Sequence, residues 1–209
     1  MTTNIQKAYD EWSQTYDTDR NLTRDLDEQI LREELVNQRF TSILEIGCGT
    51  GKNTVFLAQR GARIHALDFS EGMIQKAREK VKDEHVKFSV VDLTQRWPCE
   101  DQAYDLTVCN LVLEHIEYLS FIFSEAFRVL EMQGKFMVNE LHPFRQYDGK
   151  KARFEKGESV IEIPAFVHHI SDFVNAASDS GWKLIQLKEH WHEQDQGKPP
   201  RIISFGFEK

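Results

Sequence analysis

The stretch Glu45-Ile46-Gly47-Cys48-Gly49-Thr50-Gly51 sets a carboxylate two residues ahead of three alternating glycines. The apolar run Ile43-Leu44 leads into it, and a helix-like stretch follows from Lys52. A strand that hands over to a helix through glycines lets bare backbone approach a ligand closely. The spacing excludes two phosphate-handling loops. A Gly-x4-Gly-Lys-Ser/Thr loop needs a glycine where Ile46 stands and a hydroxyl where Asn53 stands. A Gly-x-Gly-x-x-Gly dinucleotide loop needs its third glycine at Lys52, and here that glycine comes one residue early. The remaining plain reading is a glycine turn before a helix.

Other groups could do chemistry near this turn. Asp68 follows Gly47 by 21 residues and ends an apolar strand-like run. A carboxylate there can accept two ribose hydroxyls, or cap the helix that follows. His142, just before Pro143, ends another strand with Glu140 on its face, and a near-neutral pKa makes it the best-placed general base. The alternative for His142 is a turn histidine. His168-His169 and His190-x-His192 are pairs with no third ligand spaced to join them, so no metal site is expected. Cys48, Cys99 and Cys109 fit neither a disulfide nor a zinc spacing and read as reduced thiols of a cytoplasmic protein.

The acidic-x-Gly-x-Gly-x-Gly pattern resembles motif I of the class I S-adenosylmethionine-dependent methyltransferases. Val90-Val91-Asp92-Leu93 and Asn110-Leu111-Val112-Leu113-Glu114-His115-Ile116 resemble later motifs of that family. Ala8 to Asp17, with Tyr9, Trp12 and Tyr16 at helical spacing, resembles the lid of its small-molecule (methyltransferase type 11, ubiquinone-biosynthesis-like) branch. The resemblance implies S-adenosylmethionine as cofactor. It implies a binding set of Glu45, Gly47, Cys48, Gly49, Gly51, Asp68, Phe69, Met73, Asp92, Leu93, Asn110, Leu111, His115 and Tyr16. Within that set it implies that Asp92 accepts from the adenine amino group and that the amide after it meets the ring. Asn110 would line the methionine end, and Met73 would pack on the adenine or in the core. His115 would orient its loop, and Tyr16 would help exclude water. The expected activity is methyl transfer to an O, N or C atom of a small molecule. An NAD-dependent oxidoreductase and a non-enzymatic S-adenosylmethionine-binding module stay open as alternatives.

The elements that must position these groups follow from periodicity. Strands are expected at 42–47, 62–67, 86–91, 104–109, 135–141, 182–189 and 201–208. Helices are expected within 4–20 and at 25–38, 52–60 (stopped by Gly61), 70–81, 119–130 (stopped by Gly134) and 171–180 (stopped by Gly181). Alternating strands and helices imply an α/β three-layer sandwich with a Rossmann-like, mostly parallel seven-stranded sheet. The Gly197-Lys198-Pro199-Pro200 turn brings the last strand back antiparallel. One domain of 209 residues is expected: a helical lid (1–40), a cofactor-binding core (41–142), a substrate cap (143–168) with a hairpin turning at Lys156-Gly157, and a closing helix and strand pair (169–209). The net charge of −8 argues against a nucleic-acid partner. No apolar run is long enough for a membrane span, and Met1-Thr2-Thr3-Asn4 shows no leader pattern. A monomer or homodimer acting on a small molecule is expected.

Overall fold

The structure is a computed structural model, which describes residues 3–157 and 159–209; the leader reading at Met1 and Thr2 lies outside them. The chain begins with helices α1 (Thr3–Trp12) and α2 (Leu22–Leu35). There follow β1 (Phe40–Ile46), α3 (Lys52–Leu57), β2 (Gly61–Asp68), α4 (Glu71–Lys80), β3 (Val86–Val90) and β4 (Tyr104–Asn110). A 3-10 turn at Leu113–His115 leads to α5 (Leu119–Val129) and β5 (Leu130–Leu141). The segment after β5 holds a short helix, α6 (Pro143–Tyr147), and the hairpin β6 (Arg153–Lys156) and β7 (Ser159–Glu162). Helix α7 (Ile170–Asp179) and strands β8 (Lys183–His190) and β9 (Ile202–Glu208) close the chain.

The seven-stranded sheet has the order β3-β2-β1-β4-β5-β9-β8. Its strands β1 to β5 are parallel, and β9 runs antiparallel to both β5 and β8. Side chains alternate across this sheet. Leu44, Ile46, Cys109, Phe136 and Val138 pack with α5 and α7 on one face. Ile43, Ile64, Leu106, Val108 and Met137 pack with α2 and α3 on the other, where Ala66 meets Ile74 of α4. Burial on both faces gives strands β1 and β4 nearly continuous apolar character, as a parallel sheet requires. The result is a three-layer α-β-α sandwich around a Rossmann-like, mostly parallel sheet.

Several local expectations change. Gly61 does not stop α3; that helix ends at Leu57 and Gly61 opens β2, where a Cβ would crowd Ile43 and Ile64 at 2.9 and 2.8 Å. Gly134 does not stop α5 either. The helix ends at Val129 and runs straight into β5, which bulges before pairing resumes, with Gln133 at φ +68°. Gly181, by contrast, does end α7 in the left-handed conformation, at φ +90°. Helix α2 starts earlier than its apolar pattern suggests, because the Asn21 side chain caps it by accepting from the Thr23 and Arg24 amides. The hairpin at Lys156-Gly157 forms and packs beneath α1, with the Trp12 and Phe154 rings stacked 5.3 Å apart. Asp105 holds the start of β1 by accepting from the Thr41 and Ser42 amides, far from the carboxyl edge of the sheet.

Candidate functional site

Three glycines after β1 all adopt left-handed backbone, at φ +77° for Gly47, +53° for Gly49 and +79° for Gly51. Their surroundings differ. A Cβ on Gly47 would lie 2.0 Å from Val112 Cγ2, so this glycine lets the loop after β4 approach. A Cβ on Gly51 would press on Ala77 of α4 at 3.1 Å. A Cβ on Gly49 would meet no atom within 4 Å, and Gly49 lines an open crevice. Asp68, at the end of β2, pins this loop: its Oδ2 accepts from the Gly49 amide at 2.9 Å and its Oδ1 from the Ser70 amide at 2.9 Å. Ser70, not Asp68, caps α4, its Oγ accepting from the Met73 amide. Asp68 lines the crevice, where its carboxylate can accept from a ligand hydroxyl.

Buried carboxylates surround the carboxyl ends of the central strands. Glu45 accepts from Thr54 Oγ1 at 2.6 Å. Glu140 accepts from the Val112 and Leu113 amides, both at 2.8 Å, and so fixes the turn after β4, where Leu111 sits at φ +58°. A leucine in that conformation is a strained backbone held by its surroundings. Asp27 of α2 accepts from three side-chain amides, those of Asn53, Asn110 and Asn139. Burial pushes Glu45 and Glu140 up to about 8, and Asp27 and Asp68 up to about 6. Asp27 was not singled out by its spacing, because an acid on an apolar helix face reads as a solvated residue until its partners on three other elements are known.

Helix α1 and the turn after it pack over this floor. Tyr9 and Tyr16 line the crevice with Gly47, Gly49, Asp68, Phe69, Met73, Leu93, Asn110, Leu111 and His115. The buried Met73 is on its wall, and Cys48 and Glu45 line the adjoining pocket. The space is narrow, about 50 Å³ in each of the two pockets, because the tyrosines project into it. The Arg24 guanidinium lies 3.9 Å from the Tyr16 ring centroid and donates to the Tyr16 and Asp19 carbonyls. His115 Nδ1 faces the Pro164 carbonyl at 3.0 Å, so that nitrogen carries the proton and Nε2 accepts from the Tyr9 hydroxyl at 2.7 Å. Burial lowers the His115 pKa to about 4, which keeps this neutral tautomer across the physiological range.

A second, larger cavity of about 440 Å³ adjoins the first and shares Tyr9, Tyr16 and Leu111 with it. Its inner wall includes Glu114, which is buried, and whose Oε2 has no hydrogen-bond partner. Burial pushes the Glu114 carboxyl up to about 7, opposed by the Gln146 side chain. Sequence reasoning passed over Glu114 in favour of His142, which the structure places outside these cavity walls. The His142 side chain is fully buried, its Nε2 is 2.9 Å from Glu189 and its Nδ1 accepts from the Phe144 amide as the cap of α6. A ring with both nitrogens occupied and no open face is not set to take a proton from a ligand. Glu189 is 47 residues away, so nothing local signalled this partner.

Asp92 closes β3, but its Oδ1 accepts from the Thr94 amide and hydroxyl, and it contributes to none of these cavity walls, whereas its neighbour Leu93 does. The histidine pairs serve the fold. His168 bonds the Leu113 and Ile116 carbonyls, His169 caps α7 and His190 meets Ser204. Among the described residues no three His, Cys, Asp or Glu groups are arranged to hold a metal ion, and no helix is long and apolar enough to cross a membrane.

The buried acids carry a pH signature. Their pKa values are raised above the unfolded range of about 4, so the folded state binds more protons than the unfolded one. Their contribution is fully present below about pH 4 and is lost as pH rises through their folded values, between about 6 and 8. Asp195, held down at about 2 by Arg201 and Arg145, works the opposite way and costs stability only in stronger acid. Arg24 and Lys52 are the cations nearest this floor. The melting temperature of the ligand-free protein should therefore fall between pH 5.5 and 8, by several degrees for a chain of this size. A sulfonium ligand should recover more of it at pH 8 than the neutral thioether does, in parallel thermal-denaturation series. Equal shifts for both ligands at both pH values would mean that the acids do not face the ligand.

The chain is similar to known methyltransferases in sequence and in fold. Residues 44–138 match the family model described as a methyltransferase domain. The chain is 26% identical to an uncharacterised methyltransferase of Emericella nidulans, covering 87% of this chain and 76% of that protein. It is 27% identical to the malonyl-[acyl-carrier protein] O-methyltransferase of Priestia megaterium, covering 89% and 69%. In fold it resembles the N-methyltransferase NodS from Bradyrhizobium japonicum, solved with S-adenosylhomocysteine, at a TM-score of 0.73 and 16% identity over 99% of this chain and 98% of that one.

Proposed function

We propose that the chain is a class I S-adenosylmethionine-dependent methyltransferase that methylates an O, N or C atom of a small molecule held in the larger cavity. One observation carries the assignment of the crevice to the cofactor: the missing side chain of Gly49 opens onto it, between buried carboxylates. That chemistry suits a ligand with an ammonium and a sulfonium. It opposes a pyrophosphate, which would meet Asp27, Glu45 and Asp68 at close range in a poorly screened interior.

In this reading Asp68 takes the ribose hydroxyls, Met73 and Leu93 flank the base, and Phe69 lies beside them. Gly47 to Gly51 and Asn110 border the methionine end, with Arg24 available to its carboxylate. Bound there, S-adenosylmethionine supplies a methyl group already activated by its sulfonium. What remains for the chain is alignment and the exclusion of water. Tyr9 and Tyr16 cover the crevice, and the Tyr9–His115 hydrogen bond orients the lid over it. Glu114 is the group best suited to accept a proton from a hydroxyl or ammonium acceptor, since its carboxyl titrates near neutrality and has a free oxygen.

The test is transfer of labelled methyl from S-adenosylmethionine to a metabolite extract, with S-adenosylhomocysteine and NAD compared by thermal shift. Labelled product and a shift with S-adenosylhomocysteine alone are expected. Tight binding without any transfer would favour a binding module, and a shift with NAD alone would favour an oxidoreductase. With the acceptor in hand, turnover should rise with pH through about 7 as Glu114 loses its proton. Glu114→Gln should lower kcat on the order of 100-fold and flatten that rise, with cofactor affinity unchanged. An unaltered pH profile in the variant would remove Glu114 from the reaction.

A further inference from the structure

The larger cavity is strongly cationic in a chain whose net charge is −8. Eight lysine and arginine side chains line it, against the single acid Glu114. Some of that charge is compensated: Arg145 and Arg201 share Asp195, and Lys151 pairs with Glu162. Arg20, Lys150, Arg153 and Lys198 have no carboxylate partner among the described residues, and all four border the cavity. The first turn of α2, Asn21 to Arg24, lies on the same wall, so the positive end of a 14-residue helix dipole adds to the field. At the inner end the sign reverses, where the buried Glu114, one of whose oxygens has no hydrogen-bond partner, lines the same cavity as the residues shared with the cofactor crevice.

We propose that the methyl acceptor is a small organic anion, a carboxylate or a phosphate ester, whose charged group is held at the rim by Lys150, Arg153, Lys198 and Arg20 while its nucleophile reaches inward to Glu114. This rests on the methyltransferase reading of the preceding subsection and narrows its acceptor. Like charges concentrated in a concave wall are costly unless an opposite charge answers them, and no acid of the described residues does so at the rim. Cationic side chains in such a recess bind carboxylates and phosphates through charge-assisted hydrogen bonds, Arg153 and Arg20 with the option of two at once. A cationic acceptor would be repelled at the entrance, and a neutral one would leave the rim unanswered. The hairpin contributes Arg153 and the loop before it Lys150, so the segment between β5 and α7 supplies two of the four rim cations.

Calorimetry on the full chain saturated with S-adenosylhomocysteine tests this, with succinate, inorganic phosphate, choline and glycerol as probes. Succinate or phosphate should bind, more weakly at 300 mM than at 50 mM NaCl, and choline and glycerol should not. The stronger of the two anions names the headgroup. In the double variant Lys150→Gln, Arg153→Gln the anion affinity should fall about tenfold with S-adenosylhomocysteine affinity unchanged, since neither residue touches the cofactor crevice. Binding of choline in preference to both anions, no anion binding, or anion binding untouched by the double variant would overturn the proposal. Failure of S-adenosylhomocysteine itself to bind would instead overturn the methyltransferase reading, and the same titrations report it separately.

Discussion

Gly49→Val is expected to fold and to lose S-adenosylhomocysteine affinity by about 100-fold or more, close to 3 kcal/mol. The residue adopts φ +53°, so a side chain there costs about 1–2 kcal/mol of backbone strain, a tolerable loss for a domain of this size. The branched side chain would project into the crevice, where no protein atom lies within 4 Å of its Cβ, and would occupy the space that backbone leaves for the ligand. Gly47→Ala is the contrasting control. Its Cβ would fall 2.0 Å from Val112 Cγ2, so the expected injury is to the packing of the β1 and β4 loops and hence to stability. Calorimetric titration and urea denaturation of both variants separate the two outcomes. A Gly49→Val protein that binds the thioether as the wild type does would put the cofactor elsewhere.

The largest effect on stability is expected from Asp27→Ala, about 3–5 kcal/mol, or on the order of 10 °C in melting temperature. Asp27 is 4% exposed and accepts from Asn139 at 2.9 Å, Asn53 at 2.9 Å and Asn110 at 3.2 Å. Removing the carboxyl would leave three donors of the interior facing a void, and each orphaned group costs about 1–3 kcal/mol. Asp105→Ala, which frees only the amides at the exposed start of β1, should cost under about 1 kcal/mol, because water replaces the bond. A loss at Asp27 no larger than that at Asp105 would show that the three amides re-pair among themselves.

Asp27 also marks where sequence reading stops. The glycine loop, Asp68 and the alternation of strands were legible because each is a local pattern: a few neighbouring residues carry the backbone or burial requirement themselves. The antiparallel return of β9 was legible for the same reason, through the Gly197-Lys198-Pro199-Pro200 turn. Gly61 and Gly134 misled because a glycine ends a helix only when its φ is positive, and at these two positions close packing or a bulge selects glycine instead. The partner of His142 could not be read locally, because Glu189 arrives on β8. The cationic cavity could not be seen at all. Arg20, Lys150, Arg153 and Lys198 come from three distant stretches of an acidic chain, and their charges are diluted in any window of sequence.

Tyr9, Tyr16 and Leu111 form a party wall between the two cavities, which the proposed reading makes the donor and acceptor chambers. A substitution in that wall must therefore disturb both tenants together, and its kinetic consequences cannot be apportioned to either. Redesign toward a new acceptor has to start from the far side, at Arg153 or Lys150, while Gly49 offers the matching handle on the donor alone.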